Sequence, residues 1–182
     1  MHQDIISGCK HHQPAQQRAL FEQVGPVMMT VCRRYAISHA DAADILQESF
    51  IKIFRSFDQF DETKGPLMAW MRRIVVNTAI QHWRKWHKNI AIVPEEYIPE
   101  TLIWSESELK MEEEEILQLI QELPPGFRMV FNLFAIEGYT HAEIAGMLGI
   151  AESASRSQLA RARKHLQQSI HDRTHAELYE KL

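Results

Sequence analysis

Arg73, Asn77, Ile80 and Arg84 recur at i, i+4, i+7 and i+11, the spacing of one face of a helix. Two guanidinium groups suit phosphates and an amide suits a base edge. The apolar Ile80, with Val76 beside it, suits stacking or wedging. All lie in "WMRRIVVNTAIQHWRKWHK", residues 70–88, which holds five Lys or Arg, three of the chain's four Trp and no acid. Aromatics interleaved with cations suit unpaired bases, whose π-faces a duplex hides. The other face, Met71, Val75, Thr78 and His82, is apolar enough to pack on neighbouring helices. Trp70 reads as core, whereas Trp83 and Trp86 fall where the helix would leave its domain. The segment points to nucleic acid, and in sharper form to single-stranded or melting DNA.

Two further constellations carry chemistry. In "DILQESFIKIF", Asp44, Gln47 and Glu48 share one polar face opposite Ile45, Phe50 and Phe54. An acidic patch would repel DNA, so this face suits a basic protein partner. In "THAEIAGMLGI", Thr140 and Glu143 stand as a capping box and Gly149 as a helix C-cap. A short turn leads into the basic "SASRSQLARARKHLQQSI", a helix-turn-helix pattern with Ile144, Ala145, Leu148, Ile150 and Leu159 as its small core. Cys9, His11 and His12 lack the second ligand pair of a closed zinc site, so they read as a mobile terminal tract, with no metal or cofactor expected. Cys32 sits among apolar residues and reads as core. No phosphate loop, nucleophile motif or paired-ligand spacing marks an enzyme.

The elements that must position these residues are helical. Apolar periodicity predicts helices over 15–36, 40–57 and 67–88, interrupted by the Gly-Pro stretch at 57–66. Residues 89–110 hold two prolines and no sustained period, as a linker does. A helix then restarts near Glu106, stops at Pro124 and Pro125, and is followed by another ended by Gly138. The expected fold is all-α: two small helical domains joined by a flexible linker, the C-terminal one a helix-turn-helix.

Of the 182 residues, 45% are hydrophobic and 24% charged, which excludes wholesale disorder. No run approaches the ~20 apolar residues of a membrane span, and the N-terminus lacks a signal peptide's features. With only two Cys, a cytoplasmic protein without membrane insertion is expected. The net charge of −4 conceals a segregation. Residues 64–89 carry six cations and no anion, 95–122 carry ten Glu against Lys110, and 156–173 carry five cations against Asp172.

These stretches converge on a family. "DAADILQESFIKIF", "FDETKGPLMAWMRRIVVNTAI", "LPPGFRMVFNLFAIEGYTHAEIAGMLGI" and "SRSQLARARKHL", in that order, resemble a bacterial RNA polymerase sigma factor of the small extracytoplasmic-function (ECF) group of the sigma-70 family. The resemblance implies region 2 at 12–88, a linker at 89–110, region 4 at 111–171 and a tail at 172–182. It implies that Asp44, Gln47 and Glu48 bind the β′ clamp helices of core RNA polymerase. The loop 57–66, with Phe57, Phe60 and Lys64, would capture a flipped-out base of the −10 element, and Arg73, Asn77, Ile80 and Arg84 would contact its strand. Thr140, Ser153, Arg156, Ser157, Arg161 and Lys164 would read the −35 element, Lys164 toward phosphate. Such a protein directs polymerase to promoter DNA, promotes −10 melting and initiates transcription, under control of an anti-sigma factor. The family often has Asp where this chain has Gln81, and a Gly-Thr-Val-Lys type run where it has Ser153-Ala154-Ser155-Arg156.

An acidic protein can carry such a basic helix if it is not meant to bind DNA alone, and the acidic linker is expected to screen the basic surfaces until polymerase separates the domains. Two rival readings are a helix-turn-helix regulator that needs no polymerase and a sigma-like decoy that binds an anti-sigma protein. The first has no use for the Asp44, Gln47 and Glu48 face, and the second has none for intact basic faces.

Overall fold

Three long amphipathic stretches in the first 86 residues can hide their apolar sides only against one another. In the computed structural model they do so as α2 (Pro14–Tyr35), α3 (His39–Arg55) and α4 (Leu67–Trp86), each packed on the other two. The structure describes residues 3–86 and 113–180, with side chains except at 86, 113 and 174–180. The chain divides into two units, Met1–Trp86 and His87–Leu182. The predicted linker, the helix start near Glu106 and residues 87 and 88 of the predicted third helix lie outside the described residues. Every regular element among the described residues is helical, and none of these helices is long and apolar enough to cross a membrane.

The N-terminal unit closes around Leu20, Met28, Ile45, Ile53, Met71 and Val75, each 0–1% exposed. Burying a side chain of this size stabilises by roughly 1.5–3 kcal/mol. That packing carries α2 straight through Pro26, a residue that costs a helix interior about 3 kcal/mol. Ser38 caps α3 by accepting from the Asp41 N–H, and Asp41 accepts in turn from the Ile37 N–H at 3.0 Å. Between α3 and α4 the chain makes two 3-10 turns, Phe57–Gln59 and Glu62–Lys64. Asp61 opens the second turn, accepting from the Thr63 N–H at 3.0 Å and its hydroxyl at 2.7 Å. These bonds hold the Asp61 carboxyl below its ordinary pKa.

The N-terminus departs from the sequence expectation. Residues Gln3–Lys10 form a helix, α1, that packs on α2 and on the turn Phe57–Gln59. Cys9 is fully buried in it rather than part of a mobile tract. A Cβ on Gly8 would stand 2.3 Å from Cγ of Gln16, so only glycine lets α1 approach α2 this closely. The period was illegible because eight residues give barely two turns.

In the C-terminal unit α5 (Glu113–Glu122) leads through Pro124 into α6 (Pro125–Phe131), which continues as a π-helical turn, Asn132–Ile136. Then α7 (His141–Leu148) and α8 (Glu152–Glu180) follow. Leu119, Leu123, Ala162 and Leu166 form one core cluster, with Phe127, Phe131 and Ile170 packed against it. Beyond the predicted core, α8 runs on into the tail as far as Glu180, and Arg173 pairs with Glu122 of α5. The capping box of α7 is complete, and Gly149 ends the helix at φ 70°, a left-handed conformation that favours glycine. Ile144, Leu148 and Leu159 are buried as expected, whereas Ala145 and Ile150 are half-buried.

Two measurements test this packing. Burial raises the Cys9 thiol pKa and pushes that of Cys32 up to about 12. Neither thiol is therefore expected to react with a disulfide reagent in the native protein, while both react in urea; fast native labelling of either contradicts the core placement. His12, exposed at the end of α1, holds φ 53°. His12→Gly is expected to raise unfolding free energy by about 0.5–1 kcal/mol, read by urea denaturation, because left-handed backbone strains a side-chain-bearing residue.

Candidate nucleic-acid interface

Because α4 packs on both α2 and α3, most of its circumference is covered. Arg73, Asn77 and Arg84 remain exposed along one narrow strip. Ile80 and Val76, expected beside them, are core residues with 4% and 1% exposure. Helical spacing put them on the right arc, but α2 and α3 together bury a wider arc than a single partner would. Phe57 and Phe60, expected in the base-capturing loop, are likewise buried at 0% and 4%. Their rings meet edge-on at 6.2 Å, and Trp70 packs on both, at 5.7 Å from Phe57 and 5.4 Å from Phe60. This aromatic cluster supports the loop from beneath. Lys64 is exposed above it, with Nζ 3.5 Å from Asp61 Oδ2.

On α3, Asp44 and Gln47 are exposed, but Glu48 is only partly so. Its Oε1 lies 2.7 Å from Nζ of Lys52, and its Oε2 accepts from Nε2 of His82 on α4 at 2.6 Å. Lys85 Nζ stands 4.0 Å away. Lys52 also donates to Gln81 Oε1 at 2.7 Å and to Thr78 Oγ1 at 3.2 Å, and these two bonds clamp α3 to α4. The His82 ring lies between two carboxylates, its Nδ1 3.6 Å from Asp41 Oδ1. The hydrogen bonds from Lys52 first, then His82, hold the Glu48 carboxyl at about 2. Sequence spacing put Glu48 on the face of Asp44 and Gln47 and had no means of finding a partner 34 residues away.

Between α2 and α3 runs an apolar cleft of about 360 Å³, lined by Phe21, Met29, Leu46, Phe50, Ile51 and Phe54. Phe21 and Ile51 are 42% and 44% exposed. Gln47 also borders this cleft.

In the C-terminal unit Ser153, Arg156 and Lys164 are exposed on α8, with Ser157 and Arg161 partly covered. Arg156 pairs with Glu152 at 2.6 Å. Ser157 turns its hydroxyl back to the Ala154 carbonyl at 3.1 Å, and Thr140 commits its own to the cap of α7. Glu143, bonded by the Thr140 N–H and hydroxyl, is held below the ordinary carboxylate range. Two residues that no sequence signal marked orient the pair of helices. His141 and Ser155, both buried, share a hydrogen bond of 2.9 Å from α7 to α8. The His141 ring stacks on Phe134 at 4.5 Å, and the Arg163 guanidinium stands over Phe134 at 5.8 Å.

Comparison with known proteins agrees with this arrangement. Residues 20–88 match the family described as Sigma-70 region 2, and residues 113–166 match Sigma-70, region 4. The ECF RNA polymerase sigma-E factor of Salmonella typhimurium is 30% identical over 153 residues, covering 75% of this chain and 77% of that protein.

The chain belongs to the ECF group of the sigma-70 family.

The ECF RNA polymerase sigma factor SigE of Mycolicibacterium smegmatis is 32% identical over 135 residues, covering 69% of this chain. The chain spans only 50% of the length of that relative. Among solved structures, it is similar to the sigma factor RpoE from Bartonella quintana, in a complex with the anti-sigma factor NepR. The TM-score is 0.48 and the identity 20%, over 83% of this chain and 94% of that one. The exposed Arg73, Asn77 and Arg84 thus lie within the region 2 match, and the helix-turn-helix within region 4.

The Glu48 contacts have a pH signature. A carboxyl held at about 2 against an ordinary 4.5 stabilises the fold fully above about pH 4.5 and loses that contribution as pH falls toward 2. With the side chain 35% exposed, solvent screening limits the effect to on the order of 1 kcal/mol. Urea denaturation is expected to show Glu48→Gln less stable than the parent at pH 7, with the gap narrowing below pH 4.5. A gap constant from pH 7 to pH 3 contradicts the assignment.

Proposed function

We propose that this protein binds bacterial core RNA polymerase and directs it to promoters, reading the −35 element with α7 and α8 and the melted −10 strand with α4. The observation that carries this reading is the division of α3 and α4 into surfaces of opposite charge within one compact unit. An acidic and polar face, Asp44 and Gln47, stands on the helix packed against the one that exposes Arg73, Asn77 and Arg84. One compact unit with both surfaces suits a protein that holds a basic partner and a nucleic acid together.

Within this reading the β′ clamp helices would meet Asp44 and Gln47, with Glu48 behind them holding Lys52 and His82. The exposed rim of the loop, Lys64 above all, would meet the extruded base, while Phe57, Phe60 and Trp70 stiffen the platform. Ile80 would act by fixing the height of Arg73, Asn77 and Arg84 over the core. Ser153, Arg156, Ser157 and Arg161 would face base edges, with Lys164 toward phosphate, while Thr140 would act by capping α7. Region 2 would extend over 12–88 and region 4 over 111–171. The protein would act in the cytoplasm without chemistry of its own, and an anti-sigma factor would inhibit it by covering these faces.

Asp44 is the discriminating position, because it is exposed and Glu48 also serves the fold. Purified full-length protein is expected to co-elute with core polymerase in gel filtration. Asp44→Arg should weaken that association at least tenfold with unchanged thermal stability. Failure of the parent to bind polymerase, combined with duplex binding by the protein alone, would establish the polymerase-independent regulator instead.

A further inference from the structure

The first turns of α8 carry an uneven set of side chains. Of residues 152–157, ESASRS, four are Ser or Ala, and only Glu152 and Arg156 extend past a single atom beyond Cβ. Ala154 and Ser155 are buried, the latter tied to His141, so the rotation of this turn about its axis is set from inside. Glu152 and Arg156 are about half exposed, and their side chains join at 2.6 Å from a guanidinium nitrogen to Oε1. As an exposed helical pair four residues apart, this contact stabilises the helix by only a few tenths of a kcal/mol. A carboxylate beside the phosphates of DNA costs more than that in affinity, since it opposes the cations that drive binding.

We infer that Glu152 is a specificity-determining residue that works with Arg156 to select a promoter step containing guanine and cytosine. The inference rests on the reading of α8 as the helix that enters the −35 major groove. In that geometry the N-terminal residues of the recognition helix reach the base edges, and Glu152 is the first residue of α8. Arg is matched to the O6 and N7 acceptors of guanine, and a carboxylate accepts from the N4 amino group of cytosine. With Oε1 engaged by Arg156, Oε2 would take the cytosine amino group. The same contact biases the guanidinium toward the Glu152 side of the helix before DNA arrives. A base with no amino donor at that position would leave the carboxylate facing an acceptor, which is a repulsive contact. Discrimination at this base pair would come from that repulsion as much as from the attraction.

The test uses the full chain bound to core polymerase and a promoter library randomised across the −35 region. The parent is expected to enrich cytosine at one position adjacent to, or paired with, a guanine that depends on Arg156. Glu152→Ala should reduce the cytosine preference roughly tenfold at that position alone. It should also strengthen binding to unrelated duplex, because an anion has been removed. A purely structural role for Glu152 would not weaken specificity while raising general affinity. Arg156→Ala should abolish the guanine preference. If Glu152→Ala enriches the same element as the parent while Arg156→Ala does not, the role of Glu152 is overturned and the −35 reading stands. If neither substitution changes the element, the −35 assignment of α8 falls as well.

Discussion

The N-terminal unit is governed by a constraint on α4, which has to be a core element and a cationic surface at the same time. Arg73, Asn77 and Arg84 can be held in a fixed row only if the helix beneath them does not move. Two packed neighbours supply that immobility, at the expense of the surface left to display. Burial of Met71, Val75, Val76 and Ile80 leaves a narrow strip for contact with nucleic acid. The strip is correspondingly dense in charge and poor in apolar groups.

Polar contacts finish what apolar packing begins. Lys52 satisfies its donors with Glu48 on its own helix and with Thr78 and Gln81 on α4, which sets the register of one helix on the other. His141 and Ser155 do the same between α7 and α8 in a buried site. Such polar pairs contribute less net stability than apolar packing of similar volume, and where they are buried, as His141 and Ser155 are, misplacing one partner leaves the other unsatisfied. Their effect is to disfavour neighbouring registers. The Gln81 oxygen meets Lys52, so the clamp works with an amide.

The two rows of cations differ in how they are held. On α4 the exposed side chains project from a helix buried on both flanks. On α8, Arg156 is held by Glu152 and Arg163 by the face of Phe134. A guanidinium held by a carboxylate or a ring has fewer rotamers to lose on binding, which favours selective contact over general attraction. Lys164, exposed and strongly hydrated, has the character of a phosphate contact.

Much of this protein is decided by interactions between residues close in the chain, and those were legible without coordinates. The 3.6-residue period of α2, α3 and α4, the Thr140 and Glu143 box, the Gly149 stop and the separation of basic from acidic blocks all arise from neighbours within four residues or from composition. They sufficed for an all-α fold, a helix-turn-helix and the family. Whether Ile80, Phe57 and Phe60 face solvent was decided by how many helices close over them, which no local period records. The partners of Glu48 and of His141 come from 34 and 14 residues away, and the helix α1 gains its place by packing on α2 and on the turn Phe57–Gln59 with Cys9 buried. Tertiary structure alone decided those features, because a side chain between two helices answers to the surface of both and its own sequence neighbours describe only one.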